Sequence, residues 1–251
     1  MSTFMTDFKY WLRKMAAQIA TPAPRPAPQC TNISMLLMHL VDFNQAHYAY
    51  VLRWLAYQLR NPGTKMNFGI IITGDAGTGK HLFFQRVAMA LHGGHTRIMR
   101  PDTPIGVFNN WACGLRLVVI DGVITHQAIS RIKGLMASRS LTINDGAGPR
   151  ERPNHLNFVL ISNTAIPAMP GQGPRRFFAI DAPPPRENNF YRAVKDELEN
   201  GGLEAFHRYL LCGLDMSGFD EYTLPPGMDG SGNGGFKAKA AAPRTAATEA
   251  A

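Results

Sequence analysis

Apolar positions along this chain keep two different periods, and the change between them divides it. In the first sixty residues they recur every three to four positions. Phe4, Phe8, Trp11, Met15 and Ile19 form one such series, and Tyr48, Val51, Leu52, Leu55 and Leu59 another. That spacing predicts amphipathic helices over 4–20 and about 45–60, with a further helix at about 33–42. TPAPRPAPQC (21–30) reads as a Pro/Ala-rich linker, and Asn61-Pro62-Gly63 stops the helix ahead of it.

From residue 68 the apolar residues come in short unbroken runs: FGIIIT (68–73), LRLVVIDG (115–122), NFVLISN (157–163) and RRFFAID (175–181). Such runs suit parallel strands buried on both faces. Helical patterns separate them, at HLFFQRVAMAL (81–91), 126–137, 188–200 and 202–212. Between Leu141 and Ser162, the pair Asp145-Gly146 sits between two extended stretches and predicts a hairpin. Beyond about Pro225 the chain turns rich in Gly, Ala and Pro, the composition of a disordered tail. The expected fold is therefore α/β, a parallel-sheet core with an N-terminal helical region and a C-terminal helical segment. Four parts follow: helix and linker (1–30), helical region (31–66), the main domain (67–224) and tail (225–251).

Composition changes this picture little. Hydrophobic residues make up 45% and charged residues 18% of 251, as in ordinary globular proteins. No apolar run approaches the roughly 18–20 residues of a membrane span, and charges interrupt the N-terminal apolar pattern where a secretory signal would not allow them. Cys30, Cys113 and Cys212 stand far apart with no paired spacing, which fits reduced thiols in a cytoplasm. Charge says more. The net +8 is uneven: residues 1–67 carry 7 basic and 2 acidic side chains, residues 68–183 12 and 6, and residues 184–251 7 and 10. A basic middle suits a polyanion such as DNA or RNA.

The chemistry concentrates in Gly74-Asp75-Ala76-Gly77-Thr78-Gly79-Lys80-His81, between a predicted strand and a predicted helix. Glycines let the backbone curl with its N–H groups inward, and Lys80 opens the helix. Amides, helix N-terminus and ammonium then surround phosphates. A hydroxyl that holds magnesium ordinarily follows the lysine; here His81 does. Asp121, at the end of LVVI, is placed to hold magnesium through water. The carboxylate that often follows such an aspartate to orient water is replaced by Gly122. Asn163, ending its strand, is a candidate sensor of the terminal phosphate. Arg175 and Arg176 are candidates for a finger reaching a neighbouring subunit's phosphate.

The order of these elements resembles superfamily-three helicases, the ring-forming ATPases of small viruses and phages. It is most similar to the helicase domain of phage primase–helicases, including the NrS-type phage polymerases. YVLRWLAYQLRNPGTKM (50–66), GDAGTGKHLFF (74–84), LRLVVIDGV (115–123), NHLNFVLISN (154–163), RRFFAID (175–181) and FDEYTLPP (219–226) carry the resemblance. It implies a P-loop NTPase core of AAA+-like type in a homo-hexameric ring, with ATP and Mg2+ as cofactors and single-stranded DNA as partner. Lys80 would be the phosphate lysine, Asp121 the magnesium ligand, Asn163 the sensor, and Arg175 or Arg176 the finger. The segment from Ile143 to Asn154 would be the hairpin that grips DNA, with Arg139, Asn144, Arg150 and Arg152 at or behind its tip. The Ser/Thr position is often Asn in this group, so His81 departs from it less than Gly122 does. The stretch ahead of residue 45 is too short for the primase or polymerase part, which is expected as a separate protein.

Three functions compete. One is a replicative DNA helicase of phage or prophage type, working in the cytoplasm of a bacterial host. Another is a degenerate ring subunit that binds nucleotide and barely hydrolyses it, motivated by Gly122 and His81. The third is a P-loop small-molecule kinase, with TAIPAMPGQGP (164–174) as its lid.

Overall fold

The computed structural model describes residues 30–103, 110–144, 148–164 and 176–228. The expected helix over 4–20, the linker, the Asp145-Gly146 turn, Arg175, nearly all of the candidate lid and the tail beyond 228 lie outside the described residues. In chain order the elements begin with helices α1 (Thr31–Leu40) and α2 (Gln45–Arg60), strand β1 (Gly69–Thr73) and helix α3 (Leu82–Ala88 continuing through Met89–His92). Then come β2 (Thr96–Met99), a short turn at Asn110–Ala112, β3 (Leu117–Asp121) and α4 (His126–Ala137). The hairpin strands β4 (Ser140–Asn144) and β5 (Pro149–Pro153) precede β6 (Asn157–Ile161) and β7 (Phe177–Asp181). Helices α5 (Asn188–Glu199) and α6 (Gly202–Arg208, continuing through Tyr209–Gly213) close the series.

Local chemistry accounts for several boundaries. The Asn44 side chain accepts the His47 N–H at 3.1 Å to cap α2, and Thr125 accepts the Ala128 N–H at 3.2 Å to cap α4. The start of α1 has no such residue. Its Asn32 and Ile33 N–H groups donate instead to the two carboxylate oxygens of Glu197 on α5, at 3.1 and 2.7 Å. The first part of α3 is widened to i→i+5 bonding, its Met89 N–H donating to Phe84 O.

Five strands pair in the order β2-β3-β6-β1-β7, all parallel. The four predicted runs form the four inner-to-edge strands from β3 to β7. The fifth, β2, has Arg97 and Ile98 exposed and no apolar run, so its pattern hid it. Alternate residues serve opposite faces, as pleating requires. Ile70, Ile72, Val119, Val159, Ile161 and Phe178 face a core shared with α1, α2, α3, α5 and α6. Ile71, Val118, Ile120, Phe158 and Leu160 face a second core with α4 and the hairpin residues Leu141 and Ile143. α2 is further tied to the sheet by the indole N–H of the fully buried Trp54, which donates to Phe68 O at 2.7 Å. Among the described residues no helix is long and apolar enough to cross a membrane.

Candidate functional site

Parallel strands all end on one side, and ligands of open α/β sheets gather there. The glycine-rich loop follows β1 on that side. Gly74, Gly77 and Gly79 all have positive φ. At Gly79 a side chain is excluded twice over: φ is +95°, and a Cβ would lie 2.7 Å from Leu36 Cδ1 and 3.0 Å from Tyr191 Cε1. The loop is thus pressed between α1 and α5, a support that the loop's own sequence does not reveal.

Lys80 is only 2% exposed. Its Nζ donates to Gly74 O and Asp75 O at 2.7 Å each, and to Thr78 Oγ1 at 3.1 Å. Burial lowers its pKa from the usual lysine value, and the carboxylates of Asp75, Asp121 and Asp181 oppose that shift. The ammonium expected to meet phosphate is thus held against the loop's own carbonyls and the Thr78 hydroxyl.

Asp121 ends β3. Its Oδ1 accepts from His81 Nε2 at 2.9 Å and its Oδ2 from Gln85 Nε2 at 3.0 Å. His81 and Gln85 stand four apart at the start of α3, so both reach the same neighbour. Gln85 went unnoticed in the sequence; the i, i+4 spacing from His81 was the signal for it. This donor set does not fit a magnesium ion held by Asp121 and residue 81. Magnesium demands oxygen ligands in near-octahedral order, imidazole is a poor one, and both carboxylate oxygens already accept side-chain hydrogen bonds. Among the described residues no group of three or more His, Cys, Asp or Glu is arranged to hold a metal ion.

Gly122, directly after Asp121, has φ +143°, and a Cβ there would meet Pro101 Cδ at 3.0 Å. The missing carboxylate thus coincides with a backbone that resists any side chain. Asn163 follows β6, which lies between β1 and β3, so the sheet order sets it between the loop and Asp121. Its side chain is exposed, while its neighbour Ser162 is buried and donates its N–H to Ile72 O at 3.0 Å.

The other candidates lie elsewhere. Arg176 precedes β7, and Phe177 pairs with Gly69 at the start of β1, so Arg176 sits at the opposite end of the sheet from the loop. Its guanidinium donates to Asn67 Oδ1 at 3.4 Å. In the hairpin, Arg150 stands opposite Ile143, Arg152 opposite Leu141 and Asn144 opposite Pro149. Both arginines are exposed. The hairpin base is tied down by Asn154, whose N–H donates to Arg139 O at 2.9 Å and whose amide donates to Leu135 O and Ser138 O at 2.7 and 2.8 Å. Lys65 Nζ donates to the same two carbonyls, and burial, with Arg176 nearby, lowers its pKa to about 8.

No protein-family model matches the chain, and no curated protein matches it. Solved structures of the C-terminal region of NrS-1 are similar to it. The A form apo structure gives a TM-score of 0.62 at 21% identity, over 79% of this chain and 48% of that one. An apo structure of region 305–718 gives 0.61 at 19%, over 79% and 49%. The chain thus spans about half the length of the structures it matches, and at this identity the likeness establishes a related fold.

Proposed function

We propose that this chain is the ATPase core of a phage- or prophage-type replicative DNA helicase, a P-loop fold of AAA+-like type. One observation carries the reading. A glycine-rich loop ending in a buried lysine stands at the carboxyl end of β1; Asn163 follows the adjacent strand β6, and Asp121 ends the next one, β3. The likeness in fold to the NrS-1 C-terminal region supports it. In this reading Lys80, the loop amides of residues 74–80 and the start of α3 bind the phosphates of ATP. Asn163 senses the terminal phosphate. Arg176 is far from its own chain's loop, so as a finger it would serve a neighbouring copy in a ring, as would Arg175. Arg139, Asn144, Arg150 and Arg152 would meet the phosphates of single-stranded DNA, and a separate primase or polymerase would complete the machinery. The purified chain should hydrolyse ATP faster with single-stranded DNA than without it. Turnover no greater than that of Lys80→Ala, with or without DNA, would sink the proposal.

A second reading, a ring subunit that binds nucleotide and hydrolyses it slowly, is favoured by one specific observation. Gly122 lacks the carboxylate that positions water, help worth about 10²–10⁴-fold in rate, and its backbone strains against any side chain. Tight nucleotide binding with DNA-insensitive, near-background turnover would select it.

A further inference from the structure

Resting on the nucleotide-binding reading, we propose that the loop binds its triphosphate without a divalent cation held by the protein, because His81 and Gln85 close the carboxylate of Asp121 to metal. Each oxygen of that carboxylate faces the hydrogen of a side-chain donor, at 2.9 Å from His81 Nε2 and 3.0 Å from Gln85 Nε2. One lone pair on each oxygen is thus taken, and a cation approaching the remaining lone pairs of Asp121 meets the positive ends of two N–H dipoles beside it. The hydroxyl that would complete a magnesium site is absent, and the imidazole in its place already bonds to Asp121. The opposition to metal is electrostatic and not steric, since neither His81 nor Asp121 is shut away from solvent. Asp121 acts instead as an anchor for the start of α3, where the chain leaves Lys80 and the loop. The charge of the triphosphate is met by Lys80, by loop N–H groups and by the N-terminal end of α3.

The test is binding of a fluorescent ATP analogue to the full chain in excess magnesium, in excess manganese and in excess EDTA. For the wild type the three dissociation constants should agree within about threefold. In His81→Ser and in His81→Ser/Gln85→Leu, magnesium should tighten binding by about tenfold or more over EDTA. Wild-type binding that is lost in Lys80→Ala yet weakened about tenfold by EDTA would overturn the inference and leave nucleotide binding intact. Tightening of wild-type binding by manganese alone would overturn it too, by revealing a softer metal held through His81. Variants as indifferent to magnesium as the wild type would remove the two side chains as the cause. Saturable binding in none of the three buffers would fail the nucleotide-binding reading itself, and this inference with it.

Discussion

Gly122 is where residue-scale reasoning changes most. As a letter it stands where a carboxylate is expected, and the obvious repair is Gly122→Glu. The backbone argues otherwise. With φ at +143° and Pro101 Cδ 3.0 Å from a would-be Cβ, any side chain there is strained. A non-glycine residue in such a region costs on the order of 1–3 kcal/mol. Gly122→Glu should therefore lower the thermal midpoint by several degrees in a dye-monitored melt, with no gain in ATP turnover. An undiminished midpoint together with faster turnover would contradict this. His81 teaches a similar lesson. The sequence shows a missing hydroxyl; only the fold reveals that the imidazole has found Asp121. Gln85 carried no motif at all, because its role depends on where β3 ends relative to α3, a relation between residues 36 apart.

At the scale of elements, legibility followed how local the cause was. The helices over 45–60 and 126–137 coincide with their predicted spans, and in both a side-chain cap and an apolar stripe lie within the segment itself. β2 was missed because an edge strand with two exposed middle residues has no buried run to read. The start of α1 depends on a residue more than 160 positions away, Glu197, whose carboxylate accepts two of its free N–H groups. That long-range cap also joins α1, which presses on Gly79, to α5. Glu197→Ala should destabilise the protein by about 1–2 kcal/mol, as cap removals do. The check is the urea midpoint, which should fall with the slope unchanged. A variant with the wild-type midpoint would show the contact to be idle.

For the whole molecule, the sequence indicated a parallel α/β sheet but not the order of its strands, since pairing across a sheet leaves no mark on periodicity. Acid loosens the whole molecule through one histidine. His92, on α3, is 6% exposed; its Nδ1–H donates to Ala88 O at 2.8 Å, and its Nε2 is buried without a partner among the described residues. Burial, the largest cause, lowers its pKa to about 4 from the ordinary 6.5. Between those values the unfolded chain binds a proton that the folded chain refuses. Stability therefore falls as pH drops from 6.5 towards 4 and levels off below, a loss on the order of 3 kcal/mol from this group. Unfolding by urea at pH 7 and pH 5 should show the decline in wild type and a smaller one in His92→Leu. Equal slopes against pH would assign the effect to other groups.

The isoleucine run of β1 has one more consequence. Ile70, Ile71 and Ile72 are all fully buried, two on one face and one on the other. Where a strand has a wet face, slipping by one step drives its apolar side chains into water. Here, at the middle of the strand, it would exchange one isoleucine for another, so the burial of the run by itself discriminates registers weakly. Alignment comes from the strand's ends, where a Cβ at Gly69 would lie 2.8 Å from Phe158 O, and from polar groups. Asn157, buried at the start of β6, supplies them: its Oδ1 accepts from Met66 N–H at 2.7 Å, and its Nδ2 donates to Thr64 O at 3.0 Å and Arg116 O at 3.2 Å. One amide thereby indexes the segments leading into β1 and β3 against β6. It fixes which residues arrive together at the far ends of those strands, where Lys80, Asp121 and Asn163 follow.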